Sequence, residues 1–128
     1  MSMDQPSAAD LVEATHEFLG EKIAPELKGF NAFQMRVALN VLKIVERELR
    51  LGPDAETRER AGLTTLLGGG EGDIRDLNRQ LCTAIREGKL SADTPGLMDH
   101  LWQTTLDKVA IDQPKYARYQ REAAARNA

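Results

Sequence analysis

The fold is decided by residues 33–49, which read FQMRVALNVLKIVEREL. The apolar residues of this stretch cover more than one stripe of a helix, and the polar residues that remain form one narrow stripe. A helix that is apolar over most of its circumference is typical of the centre of a bundle. The sequence therefore predicts a central, largely buried second helix over about residues 31–51, capped by Asn31 and ended by Gly52-Pro53.

Helical periodicity continues on both sides of this stretch, and no segment alternates in the manner of a β-strand. Ser7 and Asp10 have the spacing of a capping box, which predicts a first helix from about Ser7. Pro25 ends or kinks this helix near Ile23. Three further helices are expected over residues 53–67, from the cap Asp73 to Glu87 with Gly88 as the following residue, and from the cap Thr94 to just before Pro114.

The composition fits one domain of this kind. The chain has 128 residues, with 17 Lys and Arg against 20 Asp and Glu, and a formal net charge of −3. Such a length normally corresponds to a single domain. We expect an all-α, single-domain bundle of five or six helices over residues 1–128, in which 1–6 and roughly 117–128 are flexible or the tail forms a short helix.

Several function classes are disfavoured by the same composition. No apolar run approaches the ~18 residues of a membrane span, and the N-terminus lacks the basic flank and apolar core of a secretory signal. The single cysteine, Cys82, excludes an internal disulfide framework. We expect a soluble, cytoplasmic protein that contacts no membrane, and the acidic net charge argues against nucleic acid as a partner.

No set of residues combines a nucleophile, a base and a metal site. Glu13 and His16 have the Glu-x-x-His spacing of di-iron bundles, but those bundles need a second copy that this sequence lacks. Cys82 has apolar neighbours on a helix and is interpreted as a small packing residue. The Gly-rich break at 68–72 lacks the Lys-Ser or Lys-Thr of a phosphate-binding loop. The sequence predicts no catalytic residue, no metal and no cofactor, and it favours a protein that is not an enzyme.

The polar stripe of the second helix is the strongest candidate for a binding site. Its positions are spaced by four and three residues: Arg36, Asn40, Lys43, Arg47 and Arg50. Guanidinium groups at this spacing can hold a phosphate or a carboxylate with paired hydrogen bonds. The alternative is a set of internal ion pairs, for which Glu46 and Arg50 have i,i+4 spacing. In the first interpretation, an anionic ligand binds Arg36, Asn40, Lys43 and Arg47.

Two further features bear on contacts with other chains. Trp102 lies one helical turn after Met98, where core packing and a dimer contact are alternative interpretations. Residues 1–28 hold six acidic and two basic residues, whereas residues 115–128 hold four basic residues and one acidic residue. These are either two solvated faces or two complementary patches, within one chain or between partners.

Three segments carry a family resemblance: residues 33–49, residues 76–82 (DLNRQLC) and residues 110–116 (AIDQPKY). Together they resemble a family of short bacterial helical proteins classed as a domain of unknown function. The positions that match its recurring pattern are Arg36, Asn40, Arg47, Glu48, Asp112, Pro114 and Tyr116. The resemblance implies a context rather than an activity, because such proteins are encoded beside acyl-CoA dehydrogenase-like and aminoglycoside-phosphotransferase-like proteins.

The leading functional hypothesis is a non-catalytic accessory or interaction protein, whose partner is one of these enzymes or a second copy of itself. Glu48, Trp102, Asp112 and Tyr116 are its candidate structural or interaction residues, with Tyr116 expected to pack back on the last core helix. The alternative is a small-molecule protein that holds a phosphate or CoA moiety with Arg36, Asn40 and Arg47. That alternative requires the polar stripe to face a cavity.

Overall fold

A computed structural model describes residues 5–127, and the described chain is helical without a strand. Its five α-helices are α1 (Ala8–Phe18), α2 (Gly29–Leu67), α3 (Ile74–Arg86), α4 (Leu97–Asp112) and α5 (Ala117–Asn127). The all-α class with five or six helices is confirmed. Of the two alternatives for the tail, a flexible segment or a short helix, the structure shows the short helix. At the other end, residues 1–4 of the segment 1–6 that was expected to be flexible lie outside the described residues.

The chain divides into two compact units, residues 1–52 and residues 53–128. The first unit contains α1, the turns after it and residues 29–52 of α2. The second unit contains residues 53–67 of α2 together with α3, α4 and α5.

Helix α2 corrects the expected boundary at Gly52-Pro53. It begins two residues before Asn31 and continues through Pro53 to Leu67, so the two helices expected at 31–51 and 53–67 are one. A proline inside a helix removes one hydrogen bond to the carbonyl four residues earlier. Here that carbonyl belongs to Leu49, an exposed residue, where water can replace the donor. Gly52 also lacks the Cβ that normally clashes with a following proline ring.

In the first unit, local signals define α1. Ser7 Oγ accepts a hydrogen bond from Asp10 N at 3.1 Å, and Ser7 N donates to Asp10 Oδ2 at 3.2 Å, which confirms the predicted capping box. Helix α1 ends at Phe18, and the chain continues as a π-helical turn (Leu19–Ile23) and a 3₁₀ turn (Ala24–Glu26) that contains Pro25. Regular helix therefore ends five residues before the expected position near Ile23.

The expectation of a largely buried second helix holds for one face of residues 31–51. Leu39 and Leu42 are half-buried on that face, and Leu39 lies at van der Waals distance from the Cβ position of Gly20. The opposite face carries exposed apolar side chains, including Phe33 and Val37. The amphipathic α1 covers one face of its neighbour, so the apolar circumference read from the sequence exceeds what this unit buries.

The core of the second unit consists of leucines from three helices: Leu63 of α2, Leu77 and Leu81 of α3, and Leu97 of α4. Asp73 is the N-cap of α3, as predicted, and its Oδ1 accepts a hydrogen bond from Asp76 N at 2.8 Å in a capping box with Asp76. Gly70 in the preceding break has φ +129°, and a Cβ there would meet Leu77 Cδ2 at 2.9 Å. The backbone of the break at Gly70 therefore passes so close to the core residue Leu77 that a side chain there would clash.

Helix α4 begins later than the sequence predicts. Its N-cap is Gly96, whose φ of 87° interrupts the helical backbone, and Thr94 is not the cap. The Thr94 hydroxyl instead accepts a hydrogen bond from Ser91 N at 2.9 Å and closes the preceding turn. The other end is as predicted, because α4 stops at Asp112 before Pro114. Cys82 is exposed rather than packed in the core, which corrects its interpretation as a packing residue.

A close contact between α2 and α4 generates a stability prediction. A Cβ at Gly62 of α2 would overlap the His100 ring of α4, with Cε1 at 2.8 Å. Gly→Ala in a helix normally stabilises by about 0.5–1 kcal/mol, whereas overpacking costs about 1–3 kcal/mol. We expect Gly62→Ala to lower the free energy of unfolding in urea denaturation. In the His100→Ala background the same change is expected to be neutral or stabilising, and an equal loss in both backgrounds would contradict the contact.

Candidate functional site

The polar stripe of α2 is partly committed to ion pairs within the first unit. Lys43 Nζ contacts Glu46 Oε1 at 3.1 Å, and Arg50 Nε contacts Glu46 Oε2 at 3.0 Å. The predicted i,i+4 pair of Glu46 and Arg50 is therefore confirmed. For Lys43 and Arg50, the structure has the internal ion pairs that were the alternative to a ligand site.

Arg50 also joins α2 to α1. Its Nη2 lies 2.9 Å from Glu13 Oε2 and 3.2 Å from Asp10 Oδ1. One guanidinium thus contacts three carboxylates on two helices, which uses the several donors of its planar fork. Asp10 belongs to the capping box of α1 as well, so this contact ties the start of α1 to the α2 surface.

Glu46 is the carboxylate at the centre of this network, and only 8% of its residue surface is exposed. Hydrogen bonds from Arg50, and then from Lys43, lower the pKa of Glu46 below its ordinary value of 4.5. Hydrogen bonds from Ser7 and Arg50 lower the pKa of Asp10 below its ordinary value of 3.8. The network therefore stabilises the ionised carboxylates and depends on their remaining ionised.

The other stripe residues differ in their surroundings. The Arg36 guanidinium carbon lies 5.9 Å from the centroid of the Phe33 ring, a cation–π distance. Asn40 is exposed, and Arg47 is half-buried. An anion-binding role for Arg36, Asn40 and Arg47 stays a prediction.

An exposed apolar stripe lies beside these residues and was missed by sequence reasoning. We call it the α2 stripe and define it by Phe30, Phe33, Val37, Val41 and Val45, which are 70%, 52%, 48%, 50% and 37% exposed. Their spacings of three and four residues place them along one side of the helix. The rings of Phe30 and Phe33 stack with centroids 6.4 Å apart and an interplanar angle of 21°.

The sequence places Phe33, Val37, Val41 and Val45 in the largely buried second helix because each is apolar and helically spaced, whereas Phe30 lies before the expected start of that helix. One signal could have identified the α2 stripe. The second helix is apolar around most of its circumference, whereas α1 has only one apolar face with which to cover it. Contiguous exposed apolar patches in folded proteins commonly mark interaction sites. The stripe is therefore the candidate functional site of the first unit.

The remaining candidate interaction residues belong to different units of the chain. Glu48 is exposed in the first unit, whereas Trp102, Asp112 and Tyr116 lie in the second unit. Trp102 and Met98 are both exposed on α4, so neither is a core residue. Tyr116 is exposed as well, and the expectation that it packs back on the last core helix is wrong.

Two further kinds of feature concern residues 5–127: metal-binding clusters and membrane-spanning helices. No group of three or more His, Cys, Asp and Glu side chains in this range is arranged to hold a metal ion. None of the helices in the same range combines the length and apolarity needed to cross a membrane.

Comparison with known proteins gives one match. A family model described as "Domain of unknown function (DUF6285)" matches residues 25–116, well over half of the chain. The matched region contains all of α2, α3 and α4. No curated protein and no solved structure matches the chain.

The Arg50 network predicts how stability depends on pH. The folded pKa values of Glu46 and Asp10 lie below their ordinary values. The stability that these carboxylates contribute is therefore complete above the ordinary pKa values and is lost as the pH falls through the folded ones. We expect the free energy of unfolding to decrease from about pH 5 to about pH 3, and less steeply in Arg50→Gln. Urea denaturation at each pH measures both curves.

A matched control distinguishes the effect of losing the Arg50 network from the general effect of removing one positive charge. Arg121→Gln removes the same charge from an exposed position on α5. Its pH curve is expected to run parallel to that of the wild type. If the Arg50→Gln curve is also parallel, the network does not set the pH dependence.

Proposed function

Because the chain belongs to the DUF6285 family, whose description names no activity, we propose from the structure that it is a protein-interaction domain. The observation that carries this proposal is the exposed α2 stripe. In this proposal the stripe binds an amphipathic helix of a different protein, and that helix bears acidic residues along one flank.

The shape of the stripe supports a helix as the occupant. Residues 30–45 of α2 extend about 22 Å at 1.5 Å per residue, the length of a helix of about four turns. Apolar anchors spaced by three and four residues along one side are the pattern used when one helix docks against another. The two stacked phenylalanine rings at one end offer the largest apolar area.

The charges along the stripe favour a partner other than a second copy. In a symmetric antiparallel pair of helices the same flank of each helix meets, so the flank that carries Arg36 would meet its own copy. In a symmetric parallel pair each central residue meets its own copy. Glu48 follows Val41 by seven residues, so it continues the stripe and would face another Glu48. Like charges meet in both arrangements, whereas an acidic flank on a different protein would complement Arg36.

The family resemblance supplies the first candidates for this partner. It implies acyl-CoA dehydrogenase-like and aminoglycoside-phosphotransferase-like proteins encoded nearby in bacteria. Our proposal makes the domain a cytoplasmic accessory of one of these enzymes.

The test measures binding of the purified chain to each of the two purified enzymes by isothermal titration calorimetry. Val37→Glu places an unpaired carboxylate in the middle of the stripe, and burying it on binding is expected to weaken the complex more than about tenfold. Met98→Glu is the matched control, because Met98 is similarly exposed on α4. The control is expected to bind as the wild type does, and circular dichroism establishes that both variants fold.

Three results would overturn the proposal. The first is that the wild type binds neither enzyme. The second is that Val37→Glu and Met98→Glu weaken binding equally, which would place the contact elsewhere. The third is a wild-type dimer in sedimentation equilibrium that Val37→Glu converts to a monomer, because the occupant would then be a second copy.

A further inference from the structure

The outward face of α3 concentrates positive charge. Its inward face contributes Leu77 and Leu81 to the core. Arg75, Arg79, Cys82 and Arg86 are spaced by four, three and four residues, so they share the opposite side of the helix. All four are exposed.

A depression of about 650 Å³ lies along this face. Its lining includes the three arginines of α3, Lys108 of α4, and the small side chains of Cys82 and Thr83. Two helices of the same unit therefore contribute four basic residues to one shallow depression. No acidic residue is among the residues that line it.

The positive charges of this depression are weakly compensated. Within residues 5–127, no ion pair within 4.0 Å involves Arg75, Arg86 or Lys108. The backbone hydrogen bond from Asp76 is the main cause that lowers the pKa of Asp73, and a coulombic interaction with Arg75 helps to lower it. Arg79 contacts Asp76 at 3.8 Å, but Asp76 also accepts a hydrogen bond from Asp73 N in the capping box of α3. Clustered charges of one sign in a concave surface raise the local concentration of counter-ions.

We propose that this depression is a binding site for a small molecule that carries a chain of two or three phosphate groups. Arginine forks match phosphate oxygens with paired hydrogen bonds. Arg75 and Arg86 are eleven residues apart, or about 16 Å along the helix axis, so a chain of phosphate groups can contact more of these arginines at once than a single phosphate can. The volume lies in the range of small-molecule sites, about 300–1,000 Å³.

The lining argues against a nucleic-acid strand as the ligand. Proteins that bind single strands without sequence preference stack bases on aromatic side chains, and no aromatic residue lines this depression. Two sources share the proposed chemistry: a nucleoside triphosphate and inorganic tripolyphosphate. Both are therefore used as probes.

Cys82 provides a built-in reporter because it is the single cysteine of the chain and is exposed within the cluster. Its reaction with the anionic thiol reagent DTNB is followed by absorbance, with and without ATP or tripolyphosphate at constant ionic strength. We expect either probe to slow the reaction at least about fivefold, because a bound polyanion covers the thiol and repels the reagent. Calorimetry of the same mixtures gives the Kd.

Matched variants distinguish a site from diffuse attraction. Arg79→Gln/Arg86→Gln removes two of the charges and is expected to weaken binding at least about tenfold, since hydrogen bonds between charged groups dominate such sites. Arg118→Gln/Arg121→Gln removes two exposed charges from α5 and is expected to leave Kd and protection unchanged. Stronger protection by ATP than by tripolyphosphate identifies a nucleotide, and the reverse identifies the inorganic chain.

The proposal is overturned if neither probe gives heat or protection at millimolar concentration. Equal weakening in the two double variants, or equal protection by sulfate at the same ionic strength, would also overturn it, because either result indicates diffuse screening. This site lies in residues 53–128, and its test uses no residue of the α2 stripe. Its failure and the failure of the interaction proposal are therefore distinguishable.

Discussion

The ionised carboxylate of Glu46 is the constraint on which the first unit depends. A buried charge is costly unless it is paired, and Glu46 has Lys43 and Arg50 as partners. Arg50 also contacts Asp10 and Glu13 of α1, so pairing this carboxylate selects the face of α2 that meets α1. Val37 precedes Glu46 by nine residues, which places it half a rotation away on the helix. The α2 stripe is thus exposed on the side of α2 opposite this buried acid.

The second unit depends on leucine packing instead of charge. Leu63 and Leu77 are almost fully buried, and the chain reaches Leu77 through a Gly-rich break whose backbone passes close to it. Because the inward face of α3 is apolar, its arginines are directed outward together. In both units, the surface proposed to bind a partner or ligand is the face opposite the one that folding uses.

Features that depend on nearby residues could be predicted from the sequence. The capping box at Ser7, the N-cap Asp73 and the end of α4 before Pro114 each involve residues within four positions of one another. The same holds for the pair of Glu46 and Arg50. Two local signals misled, since Pro53 lies inside α2 and the Thr94 hydroxyl closes a turn.

Features that depend on distant residues could not be predicted in this way. Asp10 lies 40 positions from Arg50, and nothing in either local sequence indicates their contact. The exposed side of α2 is not marked by polarity, because it is as apolar as the buried side. The arginine spacing of α3 was readable, since Leu77 and Leu81 fix the inward face and Arg75 and Arg79 then point away. The basic face of α3 was nevertheless not identified from the sequence, because Cys82 was interpreted from its apolar neighbours in the chain and not from the side of the helix that it shares with the arginines.

The net charge of the chain is a poor guide to what it can bind. The value of −3 combines an excess of four acidic residues within residues 1–28 with an excess of one basic residue in the remainder. At physiological ionic strength the field of an exposed charge is screened over about 8 Å. A ligand in the depression on α3 therefore responds mainly to Arg75, Arg79, Arg86 and Lys108, which line it. An acidic protein can thus hold an anion site, provided that folding collects its basic residues on one helix face.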